Sequence, residues 1–202
     1  MTFRTTDFFV ARLAAAFAAM ALLAPPATAQ KLDLNNLTQA QQDEMYCVYE
    51  AISANDSYLI ADSYLDPSLS DEEIKKAEAT LEKQVASCAT KYGWSADRRA
   101  LASDIGVHDA IIDVVSEDLI DEGVKEAQLK KILASLGKLA SADVDAFFGN
   151  KWHDDAAFKK RIGAGLVATG FPNDEYLLEG ALVMMESSII TAMSMARWAD
   201  LP

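Results

Sequence analysis

The sequence has few of the residues that catalytic and metal-binding sites most often use. It contains 2 histidines and 2 cysteines among 202 residues. The cysteines are not spaced as CxxC or CxxCH, which argues against the common zinc, thioredoxin-like and c-type haem motifs. No HExxH, GxSxG or phosphate-binding loop is present. We therefore expect no cofactor and favour a protein that is not an enzyme.

Positive charge is also scarce in this chain. There are 18 lysines and arginines against 31 aspartates and glutamates, and the formal net charge is −13. A balance of this sign argues against binding nucleic acid or anionic lipid through a general basic patch. It is compatible with a basic protein partner, and it also suits plain solubility.

Residues 1–29 have the order of a secretory signal peptide. A short basic stretch comes first, an apolar run follows, and small residues precede a cleavage site between Ala29 and Gln30. The apolar run is too short to span a bilayer comfortably. The sequence therefore predicts a Sec-type leader and a mature protein of residues 30–202. We expect that protein to be periplasmic or secreted, without stable insertion in the membrane.

The two cysteines, Cys47 and Cys88, both fall in the predicted mature part. An even pair in an exported chain predicts one disulfide. Cys88 lies on the apolar face of a predicted helix, and Cys47 lies on a flank of small residues that lets another helix approach closely. We expect the bridge to join these two helices.

The mature sequence predicts an all-α fold. Capping boxes are expected at Thr38 with Gln41 and at Ser70 with Glu73. Glycines stand at predicted helix ends, namely Gly93, Gly123, Gly137, Gly149 and Gly170. Apolar residues recur at three- and four-residue spacing, and no convincing strand pattern appears. We predict one compact domain, a bundle of six to seven helices with one disulfide.

One predicted helix carries acidic residues at every fourth position. They are Asp109, Asp113, Glu117 and Asp121. Like charges at this spacing repel, which favours either a solvated face or a basic partner that compensates the charge. His108 lies on the apolar face of the same helix. It is a candidate metal ligand or base, or a hydrogen-bonded residue of the core.

His153 stands beside two carboxylates, Asp154 and Asp155, at a predicted helix start. Imidazole and carboxylate groups together are candidate ligands of a divalent cation. The same residues also suit a turn in which an aspartate caps the helix.

These observations favour an exported, non-enzymatic helical protein that binds a macromolecular partner through its acidic residues. An inhibitor, an adaptor or a protective protein would fit this description. The alternative is a helical bundle that binds a small ligand or a metal through His108 or His153. A third hypothesis is a hydrolase whose catalytic groups meet only in the folded chain. The sequence does not determine the partner or the oligomeric state.

Overall fold

The computed structural model describes residues 37–201, and the predicted signal peptide with its cleavage site lies outside the described residues. Within this range 79% of the residues are helical and none belongs to a strand. The prediction of an all-α fold is confirmed.

Nine helices are present in the described range. They are α1 (Gln39–Met45), α2 (Cys47–Ala51), α3 (Ala54–Leu65), α4 (Asp71–Tyr92), α5 (Ala96–Asp121), α6 (Glu126–Leu136), α7 (Ser141–Phe148), α8 (Ala156–Ala168) and α9 (Glu175–Asp200). The number exceeds the predicted six to seven because the segment before α4 forms three short helices. Tyr46 leaves the regular helix geometry between α1 and α2, and Ser53 caps α3 by accepting from the backbone N–H of Asp56.

Local sequence signals set several of these helix ends. Both predicted capping boxes are present, at Thr38 with Gln41 and at Ser70 with Glu73. Gly93 ends α4 in the left-handed conformation with φ 71°, which glycine adopts without steric cost. These helix ends therefore follow from short-range hydrogen bonds and backbone freedom.

The described residues divide into two units, each considered by itself. The terminal unit comprises Leu37–Glu117 and Ile190–Pro202, of which the last residue is not described, and the central unit comprises Asp118–Ile189. Helices α5 and α9 each supply residues to both units. The prediction of one domain over residues 30–202 stays a prediction.

In the terminal unit, a disulfide and a close helix approach hold α2 in place. Cys47 and Cys88 are bonded, with their Cα atoms 6.0 Å apart, so the predicted bridge is confirmed and joins α2 to α4. A Cβ atom added at Gly106 would lie 2.6 Å from Cγ1 of Val48. Only glycine therefore allows α5 to pass this close to α2.

In the central unit, an aromatic cluster joins α7, α8 and the turn between them. The Phe147 ring lies 5.0 Å from the Phe158 ring and 5.8 Å from the Trp152 ring, measured between centroids. All three side chains are buried. The cluster thus fixes the neighbouring ends of α7 and α8. Other residues of the same two helices line a cavity.

Helix α9 is, in the described part of the chain, the one helix long and apolar enough to cross a membrane. The share of its most apolar stretch that is buried inside the protein is 56%. A buried core helix of a soluble protein has the same composition. The absence of stable membrane insertion stays a prediction.

Candidate functional site

Two acidic residues of α5 accept hydrogen bonds from tyrosines in the terminal unit. The Tyr49 hydroxyl donates to Asp113 at 2.5 Å, and the Tyr58 hydroxyl donates to Glu117 at 2.5 Å. Tyr49 lies on α2 and Tyr58 on α3, so both short helices present a phenol to the same long helix. Asp113 and Glu117 are therefore hydrogen-bonded within the terminal unit.

Asp109 occupies the most buried position among these carboxylates, with 5% of the residue exposed. Its Oδ1 accepts from the Thr191 hydroxyl at 3.4 Å, which is a long hydrogen bond. Its Oδ2 is buried and has no hydrogen-bond partner within residues 37–201. Burial raises the pKa of Asp109 well above its ordinary value, and the nearby Asp113 carboxylate raises it further.

The pKa of Asp113 is also raised, to about 6. Burial is the main cause, the hydrogen bond from Tyr49 opposes it, and the charge of Glu117 adds to it. Burial also raises the pKa of Tyr49, and the Asp113 carboxylate beside it has the same effect. Tyr49 therefore stays a hydrogen-bond donor at neutral pH.

The structure corrects the expectation of a continuous solvated acidic face. Asp109 is buried because it lies three or four residues from Ile105 and Ile112, which are buried on the same side of α5. Glu117 and Asp121 are exposed and keep the predicted accessibility. A surface for a partner therefore excludes Asp109.

His108 is mostly buried on α5, as its position in the apolar pattern predicts. Burial lowers its pKa to about 4, so the imidazole is neutral near pH 7. Its ring lies 6.4 Å from that of Tyr64, centroid to centroid. The roles of His108 as a metal ligand or a base stay predictions.

His153 faces a glutamate from another helix rather than its sequence neighbours. Its Nε2 lies 3.5 Å from Oε2 of Glu186 on α9. Burial raises the pKa of Glu186, while the Trp152 indole and His153 oppose the rise. The Trp152 N–H is close enough to Glu186 to lower its pKa, although the geometry is not that of an ordinary hydrogen bond among the described residues.

The two carboxylates next to His153 do not gather around it as a metal site. Asp155 caps α8 by accepting from the backbone N–H of Phe158 at 2.9 Å. Asp154 is exposed. Among the residues that the structure describes, no three His, Cys, Asp or Glu side chains converge as metal ligands. The capping interpretation of Asp155 is therefore the one the geometry supports.

A surface cavity of about 510 Å³, half open to solvent, lies in the central unit and is lined by residues from α6, α7, α8 and α9. Three cationic side chains line it, from Lys131, Lys138 and Arg161. Arg161 is held by Asp143 through two hydrogen bonds of 2.6 and 3.1 Å. The bidentate pair joins α7 to α8 and fixes the guanidinium at the cavity.

The rest of the cavity lining is largely apolar. Leu139, Ile162, Leu166 and Met185 contribute, and Ile162, Leu166 and Met185 are buried residues of the core. Cavities of a few hundred Å³ with apolar walls and a few polar groups are the usual form of small-molecule sites. The arrangement can thus hold an apolar body and one negatively charged group.

Sequence reasoning did not find this cavity. Its signal is weak, because the cations come from separate segments and each segment also fits a solvated helix face. The sequence Lys159-Lys160-Arg161 is the densest basic run in a chain of net charge −13. This basic run is the sequence feature that could have indicated an anion-binding site.

Comparisons of the chain with protein-family models, with curated proteins and with solved structures found no match. The α5 carboxylates and the cavity of the central unit are therefore the features from which a function is inferred.

Proposed function

We propose that the chain is an exported helical protein that binds a small organic anion with an apolar body in the central-unit cavity. One observation carries the proposal: two lysines, an arginine paired with Asp143, and an apolar wall line a single cavity in a chain of net charge −13. The leader-like sequence of residues 1–29 supports export, and so does the disulfide, since disulfides persist in oxidising compartments.

The two lysines are suited to hold the anionic group. Lys138 is exposed beside the cavity, and the Lys131 ammonium donates to the backbone carbonyl of Thr169 at 2.6 Å. An ammonium has three donors, so Lys131 keeps donors for a ligand while this bond positions it. Asp143 already neutralises Arg161. The geometry therefore favours a ligand with one carboxylate rather than several.

The polar groups of the cavity favour binding over catalysis. The Ser135 hydroxyl donates to the carbonyl of Ile132 at 2.6 Å, and Asp143 is bound by Arg161. Neither histidine lies among the lining residues of this cavity in the described chain. A serine nucleophile must pass its proton to a base, and the Ser135 hydroxyl donates to a backbone carbonyl instead. We therefore propose that the chain is a binding protein.

We expect decanoate to bind the purified mature protein. Its neutral analogue decanol should bind at least about tenfold more weakly, because a hydrogen bond to a charged group contributes at least this factor in affinity. Lys138→Gln should weaken decanoate binding by about three- to tenfold, the lower end reflecting solvent exposure. Isothermal titration calorimetry at low ionic strength measures both. Added salt should reduce the difference between the two ligands.

Lys160→Gln is the matched control for this experiment. Lys160 lies on α8 next to Arg161, is exposed and does not line the cavity. Its loss should leave decanoate affinity unchanged beyond a small general charge effect. Equal weakening by both lysine variants, or equal affinity for decanoate and decanol, would refute the cavity as an anion site.

A macromolecular partner of basic character stays a second proposal, supported by the net charge and by the exposure of Glu117 and Asp121. Neutralising either residue, as Glu117→Gln or Asp121→Asn, should weaken such a partner and lower the salt dependence of its binding. Native mass spectrometry of complexes from envelope extract measures this. Unchanged partner occupancy in both variants would remove the acidic-surface proposal and leave the cavity proposal intact.

A further inference from the structure

The burial of Asp109 in the terminal unit is unfavourable for an ionised carboxylate. The residue is buried on α5, one oxygen accepts a long hydrogen bond from Thr191, and the other has no partner within the described residues. An ionised carboxylate in this position would lose its hydration without gaining a counter-charge. A neutral carboxylic acid avoids that loss.

The groups that face Asp109 reinforce this conclusion. Asp113 follows one helical turn later on α5, Tyr46 and Tyr49 face it from the α1–α2 segment, and Thr191 faces it from α9. The described groups that shift the pKa of Asp109 are the Asp113 carboxylate and the Thr191 hydroxyl, and neither is a cation. Two ionised carboxylates one turn apart would repel. The surroundings therefore contain acids and neutral donors, and proton uptake is the remaining way to balance the charge.

We propose that Asp109 is a proton-operated latch: it holds the terminal unit closed while protonated, and its ionisation loosens the contact of α5 with Thr191. The contribution of Asp109 to the free energy of unfolding is then largest in acid and falls as the pH rises. The latch rests on the geometry around Asp109 and does not depend on ligand binding in the central unit.

The sign of the pH dependence follows from proton linkage. The folded state holds the Asp109 proton more strongly than the unfolded chain, whose aspartate has an ordinary pKa of 3.8. Stability from this group is complete below that value and is lost as pH rises through the raised pKa of the folded state. Asp113, with a pKa of about 6, acts in the same direction.

His108 acts in the opposite direction over part of this range. Its pKa falls from 6.5 to about 4 on folding, so between these values its contribution to stability rises with pH. Above pH 6.5 the unfolded-state histidine loses its remaining half proton, which lowers the unfolding equilibrium constant by at most about twofold. The range from pH 6.5 to 8.5 therefore reports mainly on the carboxylates.

The test is urea unfolding of the wild type and of Asp109→Asn, which keeps the shape of the side chain but cannot ionise. For the wild type, the unfolding equilibrium constant should rise by up to about tenfold per pH unit between pH 6.5 and 8.5, as one extra bound proton requires. Asp109→Asn should abolish most of that rise. Asp121→Asn, an exposed change on the same helix, should follow the wild type.

A second measurement uses the wild type alone and does not require the variant to be stable. The infrared difference spectrum of the wild type between neutral and alkaline pH should show the loss of the carbonyl band of a protonated carboxylic acid. A wild type whose stability is constant from pH 6.5 to 8.5, or which lacks the acid band at neutral pH, would overturn the latch. So would an Asp109→Asn variant with the wild-type pH dependence.

Discussion

Replacing both cysteines by alanine is expected to lower the free energy of unfolding by about 4 kcal/mol. Cys47 and Cys88 are 41 residues apart, so the bond closes a loop that contains α3 and removes its chain entropy from the unfolded state. For a chain of this size the midpoint of thermal unfolding should fall by roughly 8–16 °C. Urea unfolding and calorimetry measure the two quantities.

The helical content should survive this change, because no helix depends on the sulfur atoms for its own hydrogen bonds. Helix α4, for example, is capped by Ser70 and Glu73 at one end and by Gly93 at the other. The control is wild type with and without reductant, which separates the bond from the alanine substitutions. Far-ultraviolet circular dichroism should be nearly equal in all forms. Identical urea midpoints for oxidised and reduced wild type would contradict the prediction.

Helix ends that depend on neighbouring residues were predictable from the sequence. The capping box of Ser70 with Glu73 and the left-handed Gly93 act over three or four residues, and both are found as expected. The break at Tyr46 was not predictable from spacing, since Met45, Val48 and Ile52 continue the helical period across it. Ser53 followed by Asp56 was a usable signal for the start of α3, because it fits the pattern of an N-cap.

The acidic residues of α5 show where a periodic pattern is ambiguous. The four-residue spacing correctly places them along one helix, but it does not state which side faces solvent. Asp109 shares a side with Ile105 and Ile112, and that position already favoured burial. The tyrosine donors could not be anticipated, since Tyr49 is 64 residues from Asp113 and only the fold brings them together.

The cavity of the central unit could not be predicted from the sequence, because it also depends on residues that only the fold brings together. Its electrostatic character depends on Arg161 meeting Asp143, which is 18 residues away on another helix. Each residue alone fits an exposed helix face. Together they position the guanidinium, and the aromatic cluster around Trp152 holds the same two helices. Packing in this cluster therefore connects the stability of the central unit to the shape of the proposed site.

Trp152→Ala is expected to cost about 3–5 kcal/mol of unfolding free energy. Trp152 is fully buried in the turn between α7 and α8, where its ring packs on Phe147 and His153 and lies under the Lys159 ammonium. Alanine would remove this surface and leave a cavity between two helices that can close only partly. Urea unfolding measures the loss, and decanoate titration should show weaker binding because α7 and α8 both line the ligand cavity.

Trp152→Phe is the matched variant, since it keeps an aromatic ring and removes the indole N–H. That N–H acts on the Glu186 carboxylate without a hydrogen bond of ordinary geometry among the described residues, so its removal should cost little, and the phenylalanine ring leaves a smaller void than alanine does. We expect a cost of about half that of alanine or less. If phenylalanine costs as much as alanine, the interaction of the indole N–H with Glu186 is the stabilising contact rather than the packing of the ring. If neither variant is destabilised, the turn between α7 and α8 does not depend on Trp152.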